Sequence, residues 1–200
     1  MNHKYVVTIG RSLGSGGRII GEQLAKQLGI SFYDKELILR ASKETGLARS
    51  CFEQADEDFN PMLSGGLFQN FFQDVSFSSE TLFRMQSDVM QDIAKQESAI
   101  IVGRCADYVL RAHPLCMNVF VTAHLDDRIR RVMEYRGVSA DKARSLIEKV
   151  DKKRASFYNY FSNKQWGSAH SYDLCINSSV LGIEKTTELI LTVAKEKFAL

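Results

Sequence analysis

Apolar residues fall in short β-branched runs that alternate with stretches of helical spacing. Tyr5-Val6-Val7-Thr8-Ile9 ends at Gly10 and predicts a buried strand. Ile20, Leu24 and Leu28 recur at helical spacing and predict a helix over 18–28, closed by Gly29. Ile30-Ser31-Phe32-Tyr33 reads as a second short strand, and Asp34 as the cap of a helix through Glu36, Leu37, Ile38 and Leu39. A long helix is expected over 79–96, followed by strands over 99–102 and 117–121. Asp126 or Asp127 opens a helix carrying Arg128, Arg130 and Arg131, and Ser139 caps a longer helix running toward Tyr160. The last strand is expected over 174–177. An amphipathic helix through Leu189, Ile190, Val193 and Ala194 closes the chain over 184–198.

Strands that alternate with helices favour a parallel sheet covered on both faces. Ligands of such sheets sit at the carboxyl ends of the strands. The loops that matter then begin at Gly10, Tyr33, Gly103, Thr122 and Asn177. Residues 47–80 are the least regular, with loops marked by Asn60-Pro61 and Ser64-Gly65-Gly66. Phe68, Phe71, Phe72 and Phe77 in that stretch read either as a core-packing stripe or as an aromatic wall around a base.

The first of these loops carries the strongest chemical signal. Gly10-Arg11-Ser12-Leu13-Gly14-Ser15-Gly16-Gly17 stands between a strand and a helix. Backbone amides wrap a phosphate only where side chains leave room, and the helix start adds free amides and the positive end of its dipole. The alternative is a tight turn without a ligand, for which a single glycine suffices. The standard phosphate loop is G-x-x-x-x-G-K-[ST]. Counted from Gly10, the spacing to Gly16 is one residue longer, Gly17 stands in the lysine position, and Arg18 stands in the Ser/Thr position. Arg18 is the natural substitute for the missing charge, and Ser12 or Ser15 can offer a hydroxyl.

Composition narrows the classes without adding a motif. The chain has 200 residues, 44% hydrophobic and 25% charged, with a net charge of +2 and two prolines. That is ordinary globular composition with no Pro-rich linker, and the charge gives no reason to expect nucleic acid or membrane as a partner. Cys51, Cys105, Cys116 and Cys175 lack metal-ligand spacing and read as free thiols of a cytoplasmic protein, with no signal peptide expected. His3, His113, His124 and His170 are scattered, so no metal site is expected. Oligomeric state is not encoded in any of these features.

Four stretches together resemble one family. They are Gly14-Ser15-Gly16-Gly17-Arg18, Phe32-Tyr33-Asp34-Lys35-Glu36-Leu37-Ile38, Ile101-Val102-Gly103-Arg104-Cys105-Ala106-Asp107-Tyr108 and Val150-Asp151-Lys152-Lys153-Arg154. They look like the cytidylate kinase-like family, a branch of the P-loop nucleoside monophosphate kinases. The resemblance implies a three-layer α/β P-loop NTPase-type domain spanning 1–200. It has a five-stranded parallel sheet, a helical acceptor-binding excursion over 33–85 and a lid over 150–167. It implies ATP and Mg2+ as cofactors and a nucleoside monophosphate, CMP or dCMP foremost, as acceptor. By the same resemblance Gly10, Ser12, Gly14, Ser15, Gly16, Gly17 and Arg18, with Arg128 and Arg131, hold the nucleotide. Asp34, Arg40, Arg104 and Asp107 face the acceptor, and Arg18, Arg104, Lys153 and Arg154 supply catalytic charge. The family pattern has an aspartate where this chain has Val102, and lid arginines where it offers Val150, Phe157 and Tyr158.

Phosphoryl transfer asks for two aligned substrates, excluded water and cations on the moving group. Arg104 follows a buried strand directly and should emerge at the sheet's carboxyl edge. Arg128 and Arg131 share a helix face that serves either a ligand or solvent. Asp107 is either an acid near a metal or a helix N-terminal acid. Basic residues 149–154 beside Phe157, Tyr158, Tyr160 and Phe161 suit a lid over a nucleotide better than RNA, given the small net charge. Three functions stand in order: a nucleoside monophosphate kinase, a kinase for another small molecule, and a nucleotide-binding protein without turnover.

Overall fold

The computed structural model describes residues 4–35, 38 and 79–200. Five parallel strands lie in the order β2-β3-β1-β4-β5. They are β1 (Val6–Arg11), β2 (Ser31–Tyr33), β3 (Ala99–Val102), β4 (Cys116–Thr122) and β5 (Leu174–Asn177). The central strand β1 pairs with β3 from Val6↔Ala99 to Ile9↔Val102, and with β4 from Val6↔Cys116 to Arg11↔Val121.

Period-two alternation along β1 and β3 sends apolar residues to both faces. Val7, Ile9, Ile100 and Val102 meet Ile20 and Leu24 of α1 (Gly17–Leu28) and Ile190 and Ala194 of α6 (Ser178–Phe198). Val6, Ala99 and Ile101 meet Val89, Met90 and Ile93 of α2 (Ser79–Gln96), with Ala106 and Val109 of the short α3 (Ala106–Val109). Helices on both sides of one sheet make the expected three-layer α/β arrangement. A separate cluster joins Ile129 and Val132 of α4 (Leu125–Arg136) to Ala143 and Ile147 of α5 (Ala140–Ser162), and Leu13 of the glycine-rich turn packs on it.

The differences from the sequence reading are local. Strand β1 runs two residues past Ile9, because Gly10 and Arg11 still pair with Phe120 and Val121. Arg11 is therefore a strand residue and lies before the turn. Helix α4 starts at Leu125, with Asp126 and Asp127 in its first turn, where they complement the dipole. The expected Ser139 cap is present, its hydroxyl accepting from the Lys142 amide at 3.4 Å. The closing helix begins at Ser178, capped by Asn177, and is interrupted at Gly182 with φ 75° and ψ 170°. The stretch expected over 184–198 is the part after that break. Arg40, Cys51, the four phenylalanines of 68–77 and most of the 33–85 excursion lie outside the described residues. No helix among the described residues is long and apolar enough to cross a membrane.

Candidate functional site

The glycine-rich turn is fastened by its carbonyl oxygens. The Ser15 hydroxyl donates to the Ser12 carbonyl at 2.8 Å, and the Ser178 hydroxyl to the Ser15 carbonyl at 2.7 Å. Arg128 Nε donates to the Leu13 carbonyl at 2.7 Å, Arg131 to the Gly14 carbonyl at 3.2 Å, and Arg154 to the Arg11 carbonyl at 3.0 Å. With the carbonyls held by these donors, the amides are left for the other side. The N–H groups of Gly14 and Gly16 have no protein acceptor among the described residues. Gly16 caps α1 in the left-handed region, and no acidic residue occupies that helix's first turn. The result is an anion nest at a helix N-terminus. Gly14 has no tolerated substitute, since it has φ 77° and an added Cβ would sit 2.6 Å from the Arg128 carbonyl oxygen.

One amide of the nest already has an anion. The Leu13 N–H donates to Asp151 Oδ1 at 2.8 Å, and Asp151 Oδ2 accepts from Arg128. Asp151 belongs to α5, so this carboxylate ties the expected lid segment to the turn. Arg154 lies 3.8 Å from the same carboxylate.

A cavity of about 400 Å³ opens beside the nest, between the ends of β1 and β3 and the side of α5. Arg11, Lys35, Arg104, Lys153 and Arg154 line it, with Asp107 as an acid in its wall. Burial lowers the pKa of Arg104 to about 10 and also lowers that of Arg154. Both are held at a solvation cost that an anion would relieve. Arg104 is aimed by Gln86, which accepts from its Nε at 2.8 Å, and by the Phe157 ring, 4.9 Å away. The loop that carries it has three successive left-handed residues: Gly103, Arg104 and Cys105 at φ 83°, 57° and 56°. For the two non-glycine residues this conformation costs roughly 1–2 kcal/mol each. Such strain is characteristic of functional loops.

Asp107 is buried and accepts from the Tyr158 hydroxyl at 2.7 Å. Burial raises its pKa, against the lowering effect of that hydrogen bond and of Lys164. The Tyr158 phenol is in turn pushed up to about 12, first by burial and then by Asp107. Asp34 is buried and accepts from Arg18 Nε at 3.0 Å. The Arg18 side chain is 58% exposed and also pairs with Glu22 at 2.7 Å. Its charge is shared with those acids at the flank of α1. Ser12 Oγ lies 3.5 Å from Thr122 Oγ1, and Ser15 Oγ is committed to the turn itself. Cys105, Cys116 and Cys175 are free thiols.

A profile of the cytidylate kinase-like family matches residues 6–180. The chain belongs to that family. A cytidylate kinase of Methanobrevibacter smithii is 25% identical over 191 residues, covering 95% of this chain and 98% of that protein. An uncharacterized protein from Eubacterium ventriosum of known crystal structure is 26% identical, with a TM-score of 0.74 over 96% of this chain and 99% of that one. The fold is also that of a shikimate kinase from Bacteroides thetaiotaomicron, at 16% identity and TM-score 0.55 over 98% and 99% of the two chains. The strand–turn–helix of β1 and α1 and the Gly103-Arg104 loop both lie within the residues matched to the cytidylate kinase-like family. At position 102 it has a fully buried valine.

The residues present fit a phosphate group, because the unpaired Gly14 and Gly16 amides stand at the N-terminus of α1. For magnesium the chain offers no oxygen ligand at positions 18 or 102, and no group of three metal-ligating side chains exists among the described residues. The residue that sequence reasoning left unassigned is Arg11. Its signal was a cation inside the glycine-rich stretch, hidden because the strand was expected to end at Ile9.

Proposed function

We propose that the protein is an ATP-dependent kinase for a nucleoside monophosphate, CMP or dCMP being the leading acceptors. The observation that carries this reading is the pair of adjoining anion sites at the carboxyl edge of one sheet. The nest of free amides at Gly14 and Gly16 stands next to a 400 Å³ cavity with five cationic side chains in its wall. Two phosphate-bearing substrates need two such sites side by side. The relative named cytidylate kinase supports the choice of acceptor.

In this reading Gly14, Gly16 and Gly17 hold the donor's phosphates, and Arg128 and Arg131 act by keeping the turn's carbonyls outward. Arg104 holds the acceptor's phosphate, and Asp34 and Asp107 face the rest of the acceptor. Residues 150–167 form the lid, bringing Lys153 and Arg154 onto the transferring group. Magnesium, which supplies countercharge between the phosphates, would ride on the nucleotide's own oxygens. Use of ATP as donor would place the protein in the cytoplasm.

The test is ADP release with ATP and Mg2+ over a panel of ribo- and deoxyribonucleoside monophosphates. Release that saturates with CMP or dCMP is expected. Background release with every monophosphate overturns the reading. Binding of ATP without turnover would instead favour a nucleotide-binding protein, for which the buried Val102 is the relevant feature.

A further inference from the structure

The two departures at the glycine-rich turn are halves of one exchange. Counted from position 11, the chain reads Arg11-Ser12-Leu13-Gly14-Ser15-Gly16-Gly17. Against G-x-x-x-x-G-K, the spacing is standard, but the cation stands first and the glycine last. Such an exchange has a physical meaning only if the two positions touch, and they do. A Cβ added to Gly17 would lie 2.6 Å from Arg11 Cβ and 3.2 Å from its Cγ. The side chain of Arg11 thus runs through the space by which a lysine at 17 would leave the backbone. Gly103 clears the other end, since a Cβ there would lie 2.1 Å from Arg11 Nη1 and 2.8 Å from its Cζ.

These contacts fix where the guanidinium is. The stem passes the N-terminus of α1, and the guanidinium lies against the strained loop after β3, with Arg11 on the wall of the cavity. Among the described residues it makes no ion pair and no side-chain hydrogen bond. Burial, with Arg154 and Arg104 adding to it and Asp34 and Asp151 opposing it, lowers its pKa to about 9. A fork of five donors, partly exposed on the cavity wall and without a protein acceptor among the described residues, is placed to take an anion.

We propose that Arg11 takes the place of the P-loop lysine and binds the outer phosphate oxygens of ATP, with Gly17 as the void that lets it do so. The proposal rests on the kinase reading above and assigns a catalytic residue within it. Arg11 takes no proton in this role. It stays on the non-bridging oxygens while the phosphoryl group moves from the donor toward the acceptor held by Arg104.

Calorimetric titration of the full chain with ATP tests this. Arg11→Gln is expected to weaken ATP at least about tenfold, the scale of one charge-assisted hydrogen bond. Its thermal midpoint should be unchanged or higher, because one of several mutually repelling cations is gone. Arg11→Lys should keep most of the affinity. The double variant R11G/G17K restores G-x-x-x-x-G-K and should bind ATP more tightly than either single change. Equal ATP affinity in wild type and R11Q overturns the proposal, as does a double variant that folds and binds no better than R11G. If the double variant does not fold, R11Q against R11K decides: affinity indifferent to the charge overturns it. Wild-type protein that does not bind ATP removes the kinase reading and this assignment together. ATP binding without turnover on any acceptor removes the kinase reading alone.

Discussion

Asp151→Ala should be among the most damaging single changes outside the sheet. Its carboxylate accepts from the Leu13 amide at 2.8 Å and from Arg128, and faces Arg154 at 3.8 Å. The side chains of Arg128 and Asp151 are only 13% and 16% exposed. An exposed pair is worth about 0–1 kcal/mol, whereas removing one partner of a buried pair costs about 3–5 kcal/mol. These exposures lie near the buried end. The substitution also leaves the Leu13 N–H without an acceptor, at about 1–3 kcal/mol, and leaves two arginines facing each other. These effects overlap, so their sum is not the answer, and a loss of about 2–4 kcal/mol is the expected range. At this chain length each kcal/mol moves the midpoint by about 2–4 °C, so a fall of roughly 5–15 °C follows.

Urea unfolding of wild type, D151A, R128A and D151A/R128A measures the effect and, through the cycle, the coupling. Asp151→Asn keeps an acceptor for the Leu13 amide and should lose less than D151A. The deficit should persist at high salt, since a partly buried pair is screened little. A D151A loss below about 0.5 kcal/mol, or one that vanishes in salt, would refute the reasoning, because it is the signature of an exposed pair. It would also mean that the turn does not depend on α5 for its shape.

Gly14→Ala should cost more than Gly29→Ala in urea unfolding. Both have positive φ, 77° and 65°, but an added Cβ meets the Arg128 backbone at 2.6 Å in the first and nothing within 4 Å in the second; equal losses would sink the argument from close approach. Asp107→Asn should stabilise the protein at neutral pH and leave it unchanged at acid pH. The folded state holds the Asp107 proton more tightly than the unfolded chain, so wild-type stability falls as pH rises from the ordinary carboxylate range through the raised value. A pH series in which the Asn variant is less stable at pH 7 than wild type rules this out. Inorganic phosphate or sulfate should raise the thermal midpoint with the logarithm of its concentration, by about 2.7 kcal/mol of stabilisation at a hundredfold excess over Kd, and no more than sodium chloride if the cavity cations bind no anion. Native-state alkylation should modify Cys175 before Cys105 and Cys116, whose thiols burial pushes up to about 12.

The layers were legible in the sequence because they depend on period and burial alone. Val7 and Ile9 against Val6 and Thr8 specify a strand with two covered faces whatever the neighbours are. The loop after β3 was legible as a position, since a glycine and an arginine directly follow four buried residues. What Arg104 touches was not. Gln86 and Phe157 come from 18 residues before and from the far helix α5, and nothing local in the sequence links them to it. Arg18 illustrates the opposite difficulty. Its spacing in the motif pointed at the nest, but Glu22 one helical turn on and Asp34 after β2 are carboxylates within its reach. A long flexible side chain goes where the nearest compatible charge is, and motif spacing fixes only its Cα.

The arginines of α4 and α5 have a part in the site that a motif comparison does not show. A peptide group turned to offer its N–H inward must turn its C=O outward, and an outward carbonyl in a tight loop needs a donor. Here Arg154, Arg128 and Arg131 supply donors to Arg11, Leu13 and Gly14 in turn. Hydroxyls serve Ser12 and Ser15. The free amide of Gly14 is therefore a consequence of Arg128 on α4, and that of Gly16 a consequence of the Ser178 hydroxyl on α6. Substituting Arg128 should weaken phosphate binding without removing a group that touches phosphate. Asp151 belongs to the same logic, since its charge keeps Arg128 and Arg154 close together behind the turn. The shape of the nest is a property of α4 and α5 as much as of the glycines, and the glycines make that shape sterically possible.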